Sequence, residues 1–176
     1  MSRIGLALLS IVVLATTCCG PGREVDLGDR IAGTWLATGE IDARPGESSA
    51  FIITYHPSGT ATATSERMFG AGRADESGLS STHHVQWEVS GPRQIRWRVL
   101  HFGHDSDGTL KYISRTHGVR DFDEEFESST GSFWVEVFEP PALLDPLAPN
   151  NLQAEPIATT EGTDMARRLH VQLDSR

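Results

Sequence analysis

At 176 residues, with 17 glycines, 38% hydrophobic and 22% charged side chains, the chain can bury one core and is too short for two sizeable domains. Its formal charge of −9 gives a surface that repels nucleic acid and anionic lipid headgroups. It contains no Gly-x-Ser-x-Gly, phosphate loop or dinucleotide fingerprint, so hydrolase and nucleotide-dependent chemistry have no support.

Residues 1–19 read as a signal peptide. Arg3 supplies a small positive region, Ile4 to Ala15 form a largely apolar segment, and Thr16 and Thr17 end it with small residues. That segment is shorter than the roughly 20 residues needed to cross a bilayer. Its end, Leu14-Ala15-Thr16-Thr17-Cys18, resembles a bacterial lipobox, with Thr17 in place of the usual smaller residue and the leucine one position early. Two readings stay open: lipidation of Cys18 or Cys19, or plain secretion with two incidental cysteines. Both place the protein outside the cytoplasm, with membrane contact only through an anchor, and neither leaves a disulfide within the fold. Residues 20–30 are polar and contain Gly and Pro, as a flexible tether would.

From Ile31 onward the pattern is that of strands. Ile31, Gly33, Trp35, Ala37, Gly39 and Ile41 share one face of a first strand, whose glycines permit the bending a barrel corner needs. Ala50 to His56 and Thr60 to Met68 form a hairpin across His56-Pro57-Ser58-Gly59. The long Gly- and Asp-containing loop from Phe69 to Thr82 is placed to act as a flap over one end.

His83 to Ser90 and Gln94 to His104 flank a tight turn at Gly91-Pro92-Arg93. A three-residue loop sets Val89 opposite Ile95, Trp87 opposite Trp97, Val85 opposite Val99 and His83 opposite His101. A one-residue slip would set Trp87 against arginine, which favours this register. With Asp105 to Gly108 as the next loop, His101 stands opposite Tyr112, Val99 opposite Ser114 and Trp97 opposite Thr116. The strand from Thr109 continues to Phe122 with a bend at Gly118, and Phe126 to Glu139 follows after an acidic turn. Pro140-Pro141 stops that strand, and Met165 to Leu173 is expected to close the barrel. Met-Ala-Arg-Arg-Leu fits the start of a helix as well.

These elements predict an all-β fold: a single antiparallel up-and-down barrel of about eight strands over residues 31–173. Gly33-Thr34-Trp35, the Ser58-Gly59-Thr60 corner, Trp87 within His84 to Gly91, the Asp107-Gly108-Thr109 corner and Arg167-Arg168 together resemble lipocalin-like proteins of the calycin group, especially small bacterial ones. The Thr-Asp-Tyr motif of the main lipocalin family has no counterpart. The resemblance implies that Trp35 lies across the barrel floor under Arg168 or Arg167, a structural contact outside the ligand site.

It also implies a cavity for a small apolar or amphipathic molecule. The wall would include Val85, Trp87, Trp97, Val99, Phe133 and Val135, with His83, His101, Tyr112 and Ser114 as polar contacts. The reversed facing would put Arg96, Arg98, Gln86 and Glu88 inside without partners. A metal site from His83, His84, His101, His104 and His117 fails on alternation, which brings at most two together, and no cofactor is indicated. Asp105-x-Asp107-Gly108 lacks the later ligands of a calcium loop. Two other functions compete with the non-enzymatic binder. One is a cyclase or isomerase with His101 or Tyr112 as acid or base; the other is a filled barrel serving as an envelope interaction module.

Overall fold

The computed structural model describes residues 26–43, 45–66, 79–140 and 155–170. A short helix α1 (Leu27–Ile31) precedes β1 (Gly33–Ile41), β2 (Ser48–His56), β3 (Thr60–Ser65), β4 (Leu79–Ser80), β5 (His83–Gly91), β6 (Gln94–His104), β7 (Leu110–Phe122), β8 (Ser128–Phe138) and β9 (Ala158–Arg168). Every pairing is antiparallel and each long strand follows its sequence neighbour, β9 returning to pair with β1. The result is one closed eight-stranded up-and-down barrel. The two-residue β4 continues β5 along β6, Leu79 opposite His104 and Ser80 opposite Gly103. It occupies the end of the expected Phe69 to Thr82 flap, of which residues 69–78 lie outside the described residues, as do residues 1–25 with the leader, Cys18 and Cys19.

Three expectations change at element boundaries. The first strand starts at Gly33 and not at Ile31, because the Asp26 carboxylate accepts from Gly28 N at 3.2 Å and caps a helical turn that Ile31 completes. The chain then reverses at Gly33, whose φ of +130° is open to glycine and strained for other residues. Leu27–Arg30 of the expected tether thus belong to this helix, which seats under the barrel with Gly28 close to the Pro57 carbonyl and Trp87.

The second change is the β6–β7 register. Gly103 faces Tyr112, His101 faces Ser114, Val99 faces Thr116 and Trp97 faces Gly118, two residues from the expected pairing. Thr109 is drawn into the turn, where its N–H is received by Asp105 Oδ1 at 3.0 Å and Asp107 Oδ1 at 2.8 Å, and a bulge after Gly103 takes up another residue. An even shift preserves facing, so Tyr112 and Ser114 still point inward.

Third, the closing strand runs over Ala158–Arg168 and not Met165 to Leu173, whose last residues lie outside the described ones. Its inward residues are Thr160, Gly162, Asp164, Ala166 and Arg168, small or polar, so no apolar alternation announces it. Their smallness matters for packing: a Cβ on Gly162 would sit 2.5 Å from Phe133 Cζ. The Phe133 ring therefore packs directly on the Gly162 backbone of β9.

The β5–β6 pairing agrees with expectation from Val85 opposite Val99, through Trp87 opposite Trp97, to Val89 opposite Ile95, but the expected three-residue loop is a two-residue turn: Gly91 pairs with Gln94 across Pro92-Arg93, and a bulge at Ser90 takes up the extra residue. Gln86, Glu88, Arg96 and Arg98 face outward and are exposed. The Arg96–Glu88 ion pair at 2.9 Å is solvated on both sides and contributes little.

Candidate functional site

The two ends of the barrel differ in kind. At the end carrying α1, the interior is solid: Ile31, Trp35, Ile95, Phe122 and Phe126 are all buried. Trp35 meets Phe122 edge-on at 5.3 Å and Tyr55 at 6.4 Å, and its indole N–H donates to Ile31 O at 3.0 Å. The Arg168 guanidinium lies 4.9 Å from the Trp35 ring and donates to the carbonyls of Phe126, Ala32 and Arg30. These contacts leave the lower end closed, with the β1 tryptophan as floor and the β9 arginine over it.

Above that floor a polar tie crosses the interior. Arg120 points inward from β7, spans to β2, and donates to Tyr55 Oη at 2.7 Å and to Asp164 Oδ2 on β9 at 2.5 Å. Glycine makes the route possible, since a Cβ on Gly131 would lie 2.7 Å from Asp164 Oδ1. Burial raises the Tyr55 pKa, so the phenol stays neutral and accepts from the guanidinium. Burial by itself would lower that of Arg120, but Tyr55 and Asp164 outweigh it and the net direction is upward.

On the other side of this tie several inward-facing side chains are less completely covered. Phe51, Ile53, Trp97, Val135, Val137 and Thr160 all point inward by strand register, yet each keeps part of its surface exposed. Inward-facing residues in a filled barrel would be shielded like Trp35 and Ile95. Two buried polar atoms of this half, Trp97 Nε1 and Ser114 Oγ, have no hydrogen-bond partner among the described residues.

The expected polar contacts gather at the same end. His83 stacks on His101 with ring centroids 4.3 Å apart, and Tyr112 stands edge-on to His101 at 6.3 Å. His83 also lies against Phe51 and hydrogen-bonds through Nε2 to Ser80 Oγ at 2.9 Å. Tyr112 finds room because its partner is Gly103, where a Cβ would be 2.1 Å from the ring. Val85 and Val99 are buried in the adjoining wall, while Trp87 lies lower, donating through Nε1 to Thr60 O at 3.0 Å and meeting Tyr55 at 6.3 Å. Trp87 therefore belongs to the closed half, although it had been expected in the ligand wall.

Of the remaining histidines, His84 faces out and His117 stacks on Trp134 at the outer surface. No group of three or more His, Cys, Asp or Glu converges among the described residues.

Burial, aided by the neighbouring His84, pulls the His83 pKa from 6.5 to about 4. Between those values the unfolded chain takes up a proton that the folded state refuses, so stability present above pH 6.5 drains as pH falls toward 4. The loss should reach about 2–3 kcal/mol near pH 4.5. Urea melts of wild type and His83→Asn at pH 7 and pH 4.5 check this: the variant should lose that much less than wild type on acidification. Equal losses would mean that His83 is protonated in the fold.

Sequence reasoning turned His83, His101, Tyr112, Trp97 and Ser114 inward, as the strand register does, but did not single out Tyr55, Arg120 and Asp164. The signal for Arg120 was available, because it shares strand parity with Tyr112 and Ser114. Asp164 carried none, lying in a stretch without alternation. No protein-family model matches this chain, and no curated protein matches it.

Proposed function

We propose that this protein is an exported, lipocalin-like binder, without enzymatic activity, that holds a small hydrophobic or amphipathic molecule in the upper half of its barrel. One observation carries the reading: side chains that the strand register turns inward, Phe51, Ile53, Trp97, Val135 and Val137, retain accessible surface above a solid floor. An apolar wall with a few convergent polar groups is the usual form of a small-molecule site. Here His83, His101, Tyr112, Ser114 and Thr160 are the polar groups beside the wall. The leader and the lipobox-like stretch support delivery to the cell envelope, with Cys18 or Cys19 as the anchor.

Tryptophan fluorescence tests the binding reading. Trp35 and Trp87 sit in the closed half, Trp134 on the outer surface and Trp97 on the accessible lumen. Titration with undecanol should change the emission of wild type and of Trp134→Phe, and leave Trp97→Phe with little response. A response abolished by Trp134→Phe instead would place the ligand outside the barrel and overturn the proposal.

A further inference from the structure

The charges that reach the barrel interior say which ligands it accepts. Among the described residues two arginines point inward, Arg120 and Arg168. Arg168 lies beyond the lumen, at the closed end, its guanidinium occupied by three backbone carbonyls and the Trp35 ring. Arg120 is 2% exposed and forms the bottom of the accessible half, but Asp164 already neutralises it at 2.5 Å. The tie therefore contributes no net charge to the lumen. His83 adds none at neutral pH, since its pKa is about 4. Beside that neutralised pair, whose Arg120 Nε and Asp164 Oδ1 also lack partners among the described residues, the polar groups facing a ligand head are the Trp97 indole N–H and the Ser114 hydroxyl, both likewise unpartnered there, the Tyr112 phenol and the His101 imidazole.

The mouth adds to this. Glu40, Asp42 and Glu47 border the β1–β2 turn, and Asp105 and Asp107 the β6–β7 turn, with Lys111 bound to Asp105 at 3.0 Å. An entering anion would pass these carboxylates and find, among the described residues, no arginine or lysine in the lumen without a counter-charge, and an unpaired charge in such a site is costly.

We infer that the lumen takes uncharged, single-headed aliphatic molecules, of the long-chain ketone, ester and alcohol class, and rejects the corresponding carboxylates. This rests on the binding reading above and narrows it, because an apolar barrel with a free buried arginine would favour fatty carboxylates. The Arg120–Asp164 pair is the feature that sets the preference.

Calorimetric titration at pH 7 with methyl nonyl ketone, undecanol and undecanoate, three probes of matched length, tests it. The ketone and the alcohol should bind wild type at least about tenfold more tightly than undecanoate. Asp164→Asn, which leaves Arg120 its hydrogen-bond acceptor but frees its charge, should narrow that gap by about tenfold. Undecanoate binding wild type as tightly as the alcohol would overturn the inference while leaving the binder reading intact. Binding of none of the three would remove both. An unchanged gap in folded Asp164→Asn would remove Arg120–Asp164 as the determinant; should that variant not fold, the wild-type series decides alone.

Discussion

Asp164→Ala should destabilise the barrel by about 3–5 kcal/mol, because it strands a guanidinium in the interior without a counter-charge. Arg120 is 2% exposed, so water is a poor substitute for the 2.5 Å contact it would lose. Tyr55 would retain its 2.7 Å hydrogen bond, which cannot neutralise a cation. Arg120→Met combined with Asp164→Ala should recover a large part of the loss, since replacing a buried pair with apolar groups is far milder than breaking it. Recovery stays incomplete because the Tyr55 hydroxyl then lacks its donor, and adding Tyr55→Phe should return more. Urea denaturation midpoints of the single, double and triple variants supply the comparison. Strict additivity of Asp164→Ala and Arg120→Met would contradict the pairing. The exposed Glu88 provides a control: Glu88→Ala breaks the 2.9 Å pair with Arg96 and should cost less than about 1 kcal/mol.

Trp35→Ala should cost a similar amount, about 3–5 kcal/mol, by a different route. The side chain is fully buried between Tyr55, Phe122 and Arg168, and its removal opens a cavity that a closed β-sheet cannot easily collapse to fill. The indole hydrogen bond to Ile31 O goes with it, loosening the junction between α1 and β1. Thermal melting reads the effect, and Leu36→Ala calibrates it, because Leu36 is 45% exposed on the outer face and its truncation should stay within about 0.5 kcal/mol. If the two substitutions cost the same, Trp35 does not form the floor.

Much of the barrel was legible because its most apolar strands alternate cleanly. β5 and β6 carry Val85, Trp87, Val89 and Ile95, Trp97, Val99 at period two around a short turn, and hydrophobic matching then fixes the register. Side-chain capture escaped the same logic. Thr109 belongs to the β6–β7 turn through carboxylates of Asp105 and Asp107, an interaction that depends on rotamers as well as residue types. The helical turn at Leu27–Ile31 was hidden by its brevity, since five residues cannot display a 3.6 period.

The candidate site was half legible for a related reason. His83, His101 and Tyr112 flank recognisable apolar strands, so their facing follows from their neighbours. Asp164 ends the run Thr159-Thr160-Glu161-Gly162-Thr163-Asp164, which reads as a polar loop until β1 and β8 bind it from both sides. Its partnership with Arg120 joins residues 44 positions apart through a gap left by Gly131, which neither composition nor spacing discloses.

Methyl-resolved NMR during titration with methyl nonyl ketone tests most directly the claim that the barrel is open above the Arg120 tie and closed below it. Saturable shifts are expected at the methyl groups of Ile53, Val135 and Val137, with those of Ile31 and Ile95 at the floor unmoved. Shifts confined to Leu36 and Ile52 on the outer face, or no saturable shift at any of these methyls, would contradict it.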